Sequence, residues 1–407
     1  MKDSEKIYSD ISSSNESEYT SESSDDINTS DNLELMGEII RNYNVMYELG
    51  RGAYSIVWLV YSIVNNNYYA LKVQDPNDFN DGMQEVLFVK KLPKGLNVYN
   101  NIVEYFIYNK NNRKYLCSVW ELHCFNVDTL LRKSSYKLSI LHIKKIMKQL
   151  ILGVSYLHKK LKVFHGDIKT DNILIKGINN QDNFFISEYS KLLNNNIINK
   201  QDTEIRLHTH QKNLNIIIDK YNSDLYSKYT TDNKYIDNIN ISLADFGTFC
   251  EEAKYYSNSF GTRYYLAPEI ILMGKCSYPV DIWALGCTFY ELLSGNILFD
   301  PIKDSNYDRN HYHLCLINDT CGDFSSSFLK STSRYKNYFD NKLKLPDHNN
   351  YFDHKNSSNF RLIKKLNEIN LLEDDYNNVY RLLKSMLTID PNKRITIDKL
   401  LNDPWLI

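Results

Sequence analysis

The sequence predicts an α+β protein of two lobes: a small one built on a five-stranded antiparallel sheet with one helix, and a larger, mainly α-helical one. Three observations carry that expectation. Before Leu122, apolar residues alternate with polar ones at the period of a strand in several short runs. After Leu122 the period lengthens to that of a helix. And 407 residues suffice for two lobes with a substantial core, with some chain to spare.

The elements follow in order. Residues 1–42 are rich in Ser, Glu and Asp, with Tyr8 and Tyr19 almost alone among aromatics. Such a composition cannot bury enough apolar surface to offset the entropy of ordering, so a disordered acidic tail is expected. Ser13 and Ser23 each have an acidic residue three positions on, which suits acidophilic kinases; the tail is either a phosphoacceptor or docking segment, or simply solvated. A catalytic domain is expected over 43–407, with the small lobe at about 43–122 and the large lobe at about 123–407. Strands are expected around Gly50 and Val57, then over Tyr68 to Val73, Ile102 to Tyr108 and Tyr115 to Glu121, with the helix near Met83 to Leu92. Ile140 to His158 carries Ile143, Ile146, Met147, Leu150 and Val154 on one helical face. Two insertions interrupt the large lobe: an Asn-rich one at about 177–240, without a sustained period and expected to be largely disordered, and a mixed one at about 303–372. Helical runs at Asp375 to Met386 and Thr396 to Leu401 close the domain.

Bulk properties narrow the function. A net charge of −2 gives no reason to expect nucleic-acid binding. Seven scattered cysteines argue against a zinc site or disulfide framework and suggest a reducing, intracellular compartment, cytoplasmic or nuclear. There is no charged-then-apolar leader and no apolar run of about 18 residues, so neither signal peptide nor membrane span is expected.

The chemistry concentrates in His165-Gly166-Asp167-Ile168-Lys169-Thr170-Asp171-Asn172. Fanned from one loop, Asp167 can accept the proton of an attacking hydroxyl, Lys169 can neutralise a transferring phosphate and Asn172 can hold a metal ion. Asp245, in Ala244-Asp245-Phe246-Gly247, supplies a second carboxylate for the same metal–nucleotide unit. Upstream, Leu49-Gly50-Arg51-Gly52-Ala53-Tyr54-Ser55 with Val57 reads as a strand–turn–strand loop whose glycines let the backbone approach phosphates. Lys72 lies within an apolar strand run, where an unpaired ammonium would be costly to bury. Glu85, on the small-lobe helix, is its natural carboxylate partner, and Glu104 the alternative.

Together these motifs resemble the eukaryotic-type protein kinases, from about Tyr43 to the last residue. Lys169 and Thr262 are similar to the serine/threonine-specific branch. The resemblance implies ATP and Mg²⁺ as cofactors, with Asn172 and Asp245 as metal ligands and Lys72 on the nucleotide phosphates. It puts Trp120 at the gatekeeper position, backbone groups around Glu121 and His123 against adenine, and Val57, Ala70 and Leu174 around the ring. Glu269 would pair with Arg394, and Asp281 would brace the catalytic loop. The implied partners are protein substrates with Ser or Thr acceptors, bound by a monomer without membrane or nucleic acid. The rival reading is a catalytically silent pseudokinase scaffold. Lys72, Asp167 and Asp245 all being present speaks against it.

Within the superfamily the chain is most similar to the SR-protein kinases. Those also lack the Arg usually found before the catalytic Asp, here Gly166, and carry a long spacer after the catalytic loop. The stretches Leu298-Phe299-Asp300-Pro301 and Tyr307-Asp308-Arg309 with His313 are similar too. Acidic positions that would grip an arginine–serine substrate are here Ser305, Asn306, Asn310, His311 and Tyr312, and Leu266 replaces a further Arg. Control by a phosphate–arginine clamp in the activation segment is therefore not expected; Arg263 is the nearest other cation to Thr248, Ser257 and Ser259.

Overall fold

The computed structural model describes residues 33–52, 54–134, 137–177, 225–251, 261–302, 308–346 and 361–406. The chain divides into the units Met1–Leu35 and Met36–Ile407, and every element belongs to the second.

The small lobe is an antiparallel sheet of six strands rather than the expected five: β1 (Ile39–Ile40), β2 (Tyr43–Arg51), β3 (Ser55–Ser62), β4 (Asn67–Gln74), β5 (Ile102–Lys110) and β6 (Arg113–Glu121), in the order β1-β2-β3-β4-β6-β5. The extra strand lies inside the stretch assigned to the acidic tail. Two residues are too few for a strand period to be read, and β1 exists because it pairs with Tyr43 and Asn44. Side chains also tie it to the opposite edge. Glu38 accepts from Tyr108 Oη at 2.9 Å and Lys110 Nζ at 2.6 Å, and the Arg41 guanidinium lies 4.3 Å from the centre of the Phe106 ring. The β5–β6 turn is Asn111-Asn112, both in the left-handed region at φ 50° and 59°, which Asn tolerates and a tight hairpin requires.

The helix expected near Met83 to Leu92 runs over Phe79–Val89, a few residues earlier. A 3₁₀ turn at Pro76–Asp78 launches it, with the Asp75 side chain accepting from Asn77 N–H. In the large lobe, Ile140–Tyr156 forms the expected helix, capped by Ser139 and His142 and continued by a π turn that ends at Lys162, φ 58°. Pro279–Ser294 is buried along its length and stops at Gly295, φ 74°. Glu373–Met386 and Ile397–Leu401 are the closing helices. Two small sheets carry the catalytic loop between them: Asn240–Leu243, Ile173–Lys176 and Phe125–Asn126 pair in that order, and Cys250–Glu251 pairs with Val163–Phe164.

The described end of the Asn-rich insertion departs from expectation. Most of the insertion lies outside the described residues, but 225–231 is helical and is followed by a helix at Asn233–Asp237. Leu225, Tyr226, Tyr229, Ile236 and Ile239 are buried. Tyr226 and Tyr229 set their rings edge-on to Phe125, Tyr229 Oη donates to Lys176 O at 2.9 Å, and Lys145 Nζ lies 2.9 Å from Asp237. This end of the insertion belongs to the core. Each helix is a turn or two long, so neither shows a sustained amphipathic period in sequence. The second insertion also supplies core, through Arg309–Cys321 with Leu314, Cys315 and Ile317.

Candidate active site

Lys72, on β4, places its ammonium 2.7 Å from Glu85 Oε2 and 3.8 Å from Asp245 Oδ1. Burial alone would lower its pKa, but Glu85 and then Asp245 outweigh it and leave the group above its ordinary value, fully charged. The other Glu85 oxygen accepts from Phe246 N–H at 3.1 Å, tying the helix Phe79–Val89 to the residue beside Asp245. Of the two carboxylates open from the sequence, Glu85 is thus the partner. Glu104 instead accepts from Tyr43 Oη and lies 3.6 Å from Arg41. Phe246 is buried among His165, Phe88 and Tyr99, with ring centres 4.8, 5.5 and 5.9 Å away.

The catalytic loop is braced from below, as expected, by Asp281. Its fully buried carboxylate accepts from His165 N–H at 2.8 Å and Gly166 N–H at 2.9 Å, and lies 2.8 Å from His158 Nε2. Burial raises a carboxyl pKa; here His158, nearby His165 and the Gly166 N–H outweigh it and hold Asp281 low. On this base Asp167 is also buried and held low, Lys169 and Thr262 outweighing the burial. Its Oδ1 accepts from Thr262 N–H at 2.8 Å, and its Oδ2 lies 2.9 Å from Lys169 Nζ and 3.2 Å from Asn172 Nδ2. Lys169 Nζ also donates to Thr262 Oγ1 at 2.6 Å. Ala244 N–H donates to Asn172 O at 2.9 Å, joining the Asp167 cluster to the Asp245 cluster.

Two oxygens suit a hard cation. Asn172 commits its Nδ2 to Asp167, and its Oδ1 has no hydrogen-bond partner among the described residues. Asp245, in the left-handed region at φ 63°, keeps its side chain 49 % exposed although Phe246 beside it is buried. An amide oxygen and a carboxylate match what Mg²⁺ prefers. The glycine loop fits phosphates: a Cβ at Gly50 would meet nothing within 4 Å, and one at Gly52 only Ser55 O at 3.8 Å. The chain leaves that space for something else. Leu49 and Tyr54 are exposed, and the Arg51 side chain pairs with Glu48 at 2.7 Å, so the Arg51 backbone is what the loop offers a nucleotide. Ala53 lies outside the described residues.

The segment linking the lobes is more constrained than the sequence suggested. Trp120 is buried opposite Ala70 and donates from Nε1 to Ser118 Oγ at 2.8 Å. Glu121 N–H is taken by Asn101 O at 3.1 Å, and Glu121 O lies 3.1 Å from His123 Nδ1. The neighbouring His123 Nε2 is buried without a hydrogen-bond partner among the described residues. Removal from water lowers the His123 pKa to about 4, the Glu121 carbonyl opposing and nearby Lys176 assisting. Val57, Ala70 and Leu174 are half-buried beside fully buried strand neighbours, as residues lining a cleft would be.

Glu269 and Arg394 form the expected pair, bidentate at 2.6 and 2.9 Å. Arg263 does not wait for a phosphate: its guanidinium donates to Asn310 Oδ1 at 2.5 Å, and burial with nearby Arg309 lowers its pKa. Ser257, Ser259, Ser305 and Asn306 lie outside the described residues. Sequence reasoning missed that Thr248 Oγ1 donates to His165 O at 3.1 Å, and that buried Glu291 accepts from Tyr265 Oη and Thr170 Oγ1. Those contacts span 26 to 121 residues, and no local pattern announces them.

A lysine–glutamate pair between a strand and a lone helix, facing an Asp-Lys-Asn loop, defines a class. The profile of the family described as "Protein kinase domain" matches residues 43–192 and 204–406, and the chain belongs to that family. It is a serine/threonine-type protein kinase with similarity to the SR-protein kinases. A protein of Acanthamoeba polyphaga mimivirus, provisionally named serine/threonine-protein kinase L205, is 28 % identical, with 98 % of this chain and 93 % of the relative covered. "Serine/threonine-protein kinase SRPK" of Physarum polycephalum is 27 % identical over 91 % of this chain and 87 % of its own length. "Dual specificity protein kinase lkh1" of Schizosaccharomyces pombe is also 27 % identical, over 89 % of this chain and 46 % of its own length.

Proposed function

We propose that this kinase transfers the γ-phosphate of ATP, with Mg²⁺, to serine and threonine hydroxyls of protein substrates, acting as a monomer inside the cell. The observation that carries the reading is the joined set Lys72–Glu85–Asp245 and Asp167–Lys169–Asn172. Asp167, ionised because Lys169 and Thr262 hold its pKa low, accepts and orients the substrate hydroxyl. Lys169 and Lys72 spread the charge that develops on the transferring group. Asn172 Oδ1 and Asp245 would hold Mg²⁺, which when bound neutralises phosphate charge. Leu49, Gly50, Gly52 and Ser55 cover the phosphates, and Val57, Ala70, Leu174, Glu121 and His123 surround the base. The seven cysteines, all free, are consistent with a reducing compartment.

Labelled ATP and an arrayed peptide library with Ser, Thr and Tyr acceptors test the proposal. Transfer to Ser or Thr peptides is expected, and Asp167→Asn should abolish it while nucleotide binding persists. Wild-type kcat in that variant would overturn the assignment of the site. Nucleotide-independent partner binding with no transfer by the wild-type protein would favour a scaffold.

A further inference from the structure

We propose that Gly261 is a positioning residue for phosphoryl transfer, acting on Asp167 through a direct backbone contact with Gly166; this rests on Asp167 being the catalytic carboxylate. Both glycines lie in the left-handed region, at φ 83° and 82°. A Cβ on Gly261 would come 2.6 Å from the Gly166 carbonyl oxygen, a distance that forces something to move. The Gly166 carbonyl belongs to the peptide that leads into Asp167, and Gly166 N–H is held by fully buried Asp281. The catalytic loop is therefore the rigid side of the contact. What yields is the segment carrying Thr262, whose N–H reaches Asp167 Oδ1 and whose hydroxyl takes Lys169.

The contact sets how closely the end of the activation segment approaches the catalytic loop. In this chain a backbone-to-backbone fit holds two parts together where an arginine–phosphate pair has no guanidinium to form. Moving Thr262 away would withdraw its N–H from Asp167 Oδ1 and its hydroxyl from Lys169, so the carboxylate loses the groups that orient it. kcat would then fall while KM for ATP stays, a split that a loss of fold alone would not produce.

The test compares Gly261→Ala with Gly295→Ala. Gly295 has a similar φ of 74°, but a Cβ there meets nothing within 4 Å, so that variant carries the backbone strain without the contact. Gly261→Ala should lose about 100-fold in kcat, the scale of an ångström of misplacement. Its KM for ATP should stay within about threefold, and Gly295→Ala should keep wild-type kcat. Wild-type kcat in Gly261→Ala would overturn the proposal. So would a Gly261→Ala protein without a cooperative melt, which would assign the residue to folding. An active Asp167→Asn variant, by contrast, would overturn the assignment of Asp167 itself.

Discussion

At the scale of single residues, the site works by setting buried charges against one another. Lys72, Asp167 and Asp281 are each removed from water, and each stays ionised because named partners outweigh the cost of burial. Asp245 is the more exposed member, which suits a group that meets a metal ion. Asp245→Asn should therefore weaken magnesium–nucleotide binding: the rise in Tm on adding ATP and Mg²⁺ should shrink well below that of the wild type. His123 makes the opposite prediction. Its pKa of about 4 lies below that of the unfolded chain, so the unfolded state binds the extra proton as pH falls. Stability from this residue is complete above about pH 6.5 and is lost toward pH 4, by roughly 2–3 kcal/mol. His123→Leu should flatten the wild-type fall in Tm between pH 6.5 and 4, and an unchanged slope would show that other groups set it.

At the scale of elements, the sequence was most legible where one period ran long enough. Ile140–Tyr156 and Glu373–Met386 form within a residue or two of expectation because a continuous apolar face must be buried. β1 and the helices at the end of the Asn-rich insertion were not legible, because each is shorter than the window a period needs. Their stability comes from partners far along the chain, such as Phe125 for Tyr226 and Tyr229. The insertion should accordingly divide in two. Deleting residues 180–222 is expected to leave a folded, active kinase, since that stretch has no sustained amphipathic period. Extending the deletion through residue 236 removes Tyr226, Tyr229 and Ile236, and Tyr229→Ala alone should cost about 3 kcal/mol. Urea melts and specific activity of the three proteins check this, and equal stability of both deletions would return the whole insertion to the surface.

At the scale of the whole molecule, the parts are joined in a working arrangement by the chain's own groups. The small lobe reaches Asp245 through Lys72 and Phe246 through Glu85, and Asp281 fixes the loop that carries Asp167. Thr248 and Thr262 bind the activation segment to that loop at either end of the stretch 252–260. Gly166 offers no guanidinium before Asp167, and Arg263, the nearest cation in sequence, is engaged by Asn310. Phosphatase treatment should therefore change specific activity by less than about threefold. An order-of-magnitude fall, restored by rephosphorylation at Ser257 or Ser259, would show that another cation serves that segment.

The sequence by itself determined the chemistry and its polarity. Lys72, Asp167, Lys169, Asn172 and Asp245 could be singled out because each sits in a short motif of charged and polar groups of the kind phosphoryl transfer demands. The choice of Glu85 over Glu104, the withdrawal of Arg263 to Asn310, and the close approach of Gly261 to the Gly166 carbonyl were decided only by the tertiary structure. Each depends on distances between segments from 13 to 95 residues apart. Local periodicity reports which face of an element is buried, but not which distant atom it will meet there.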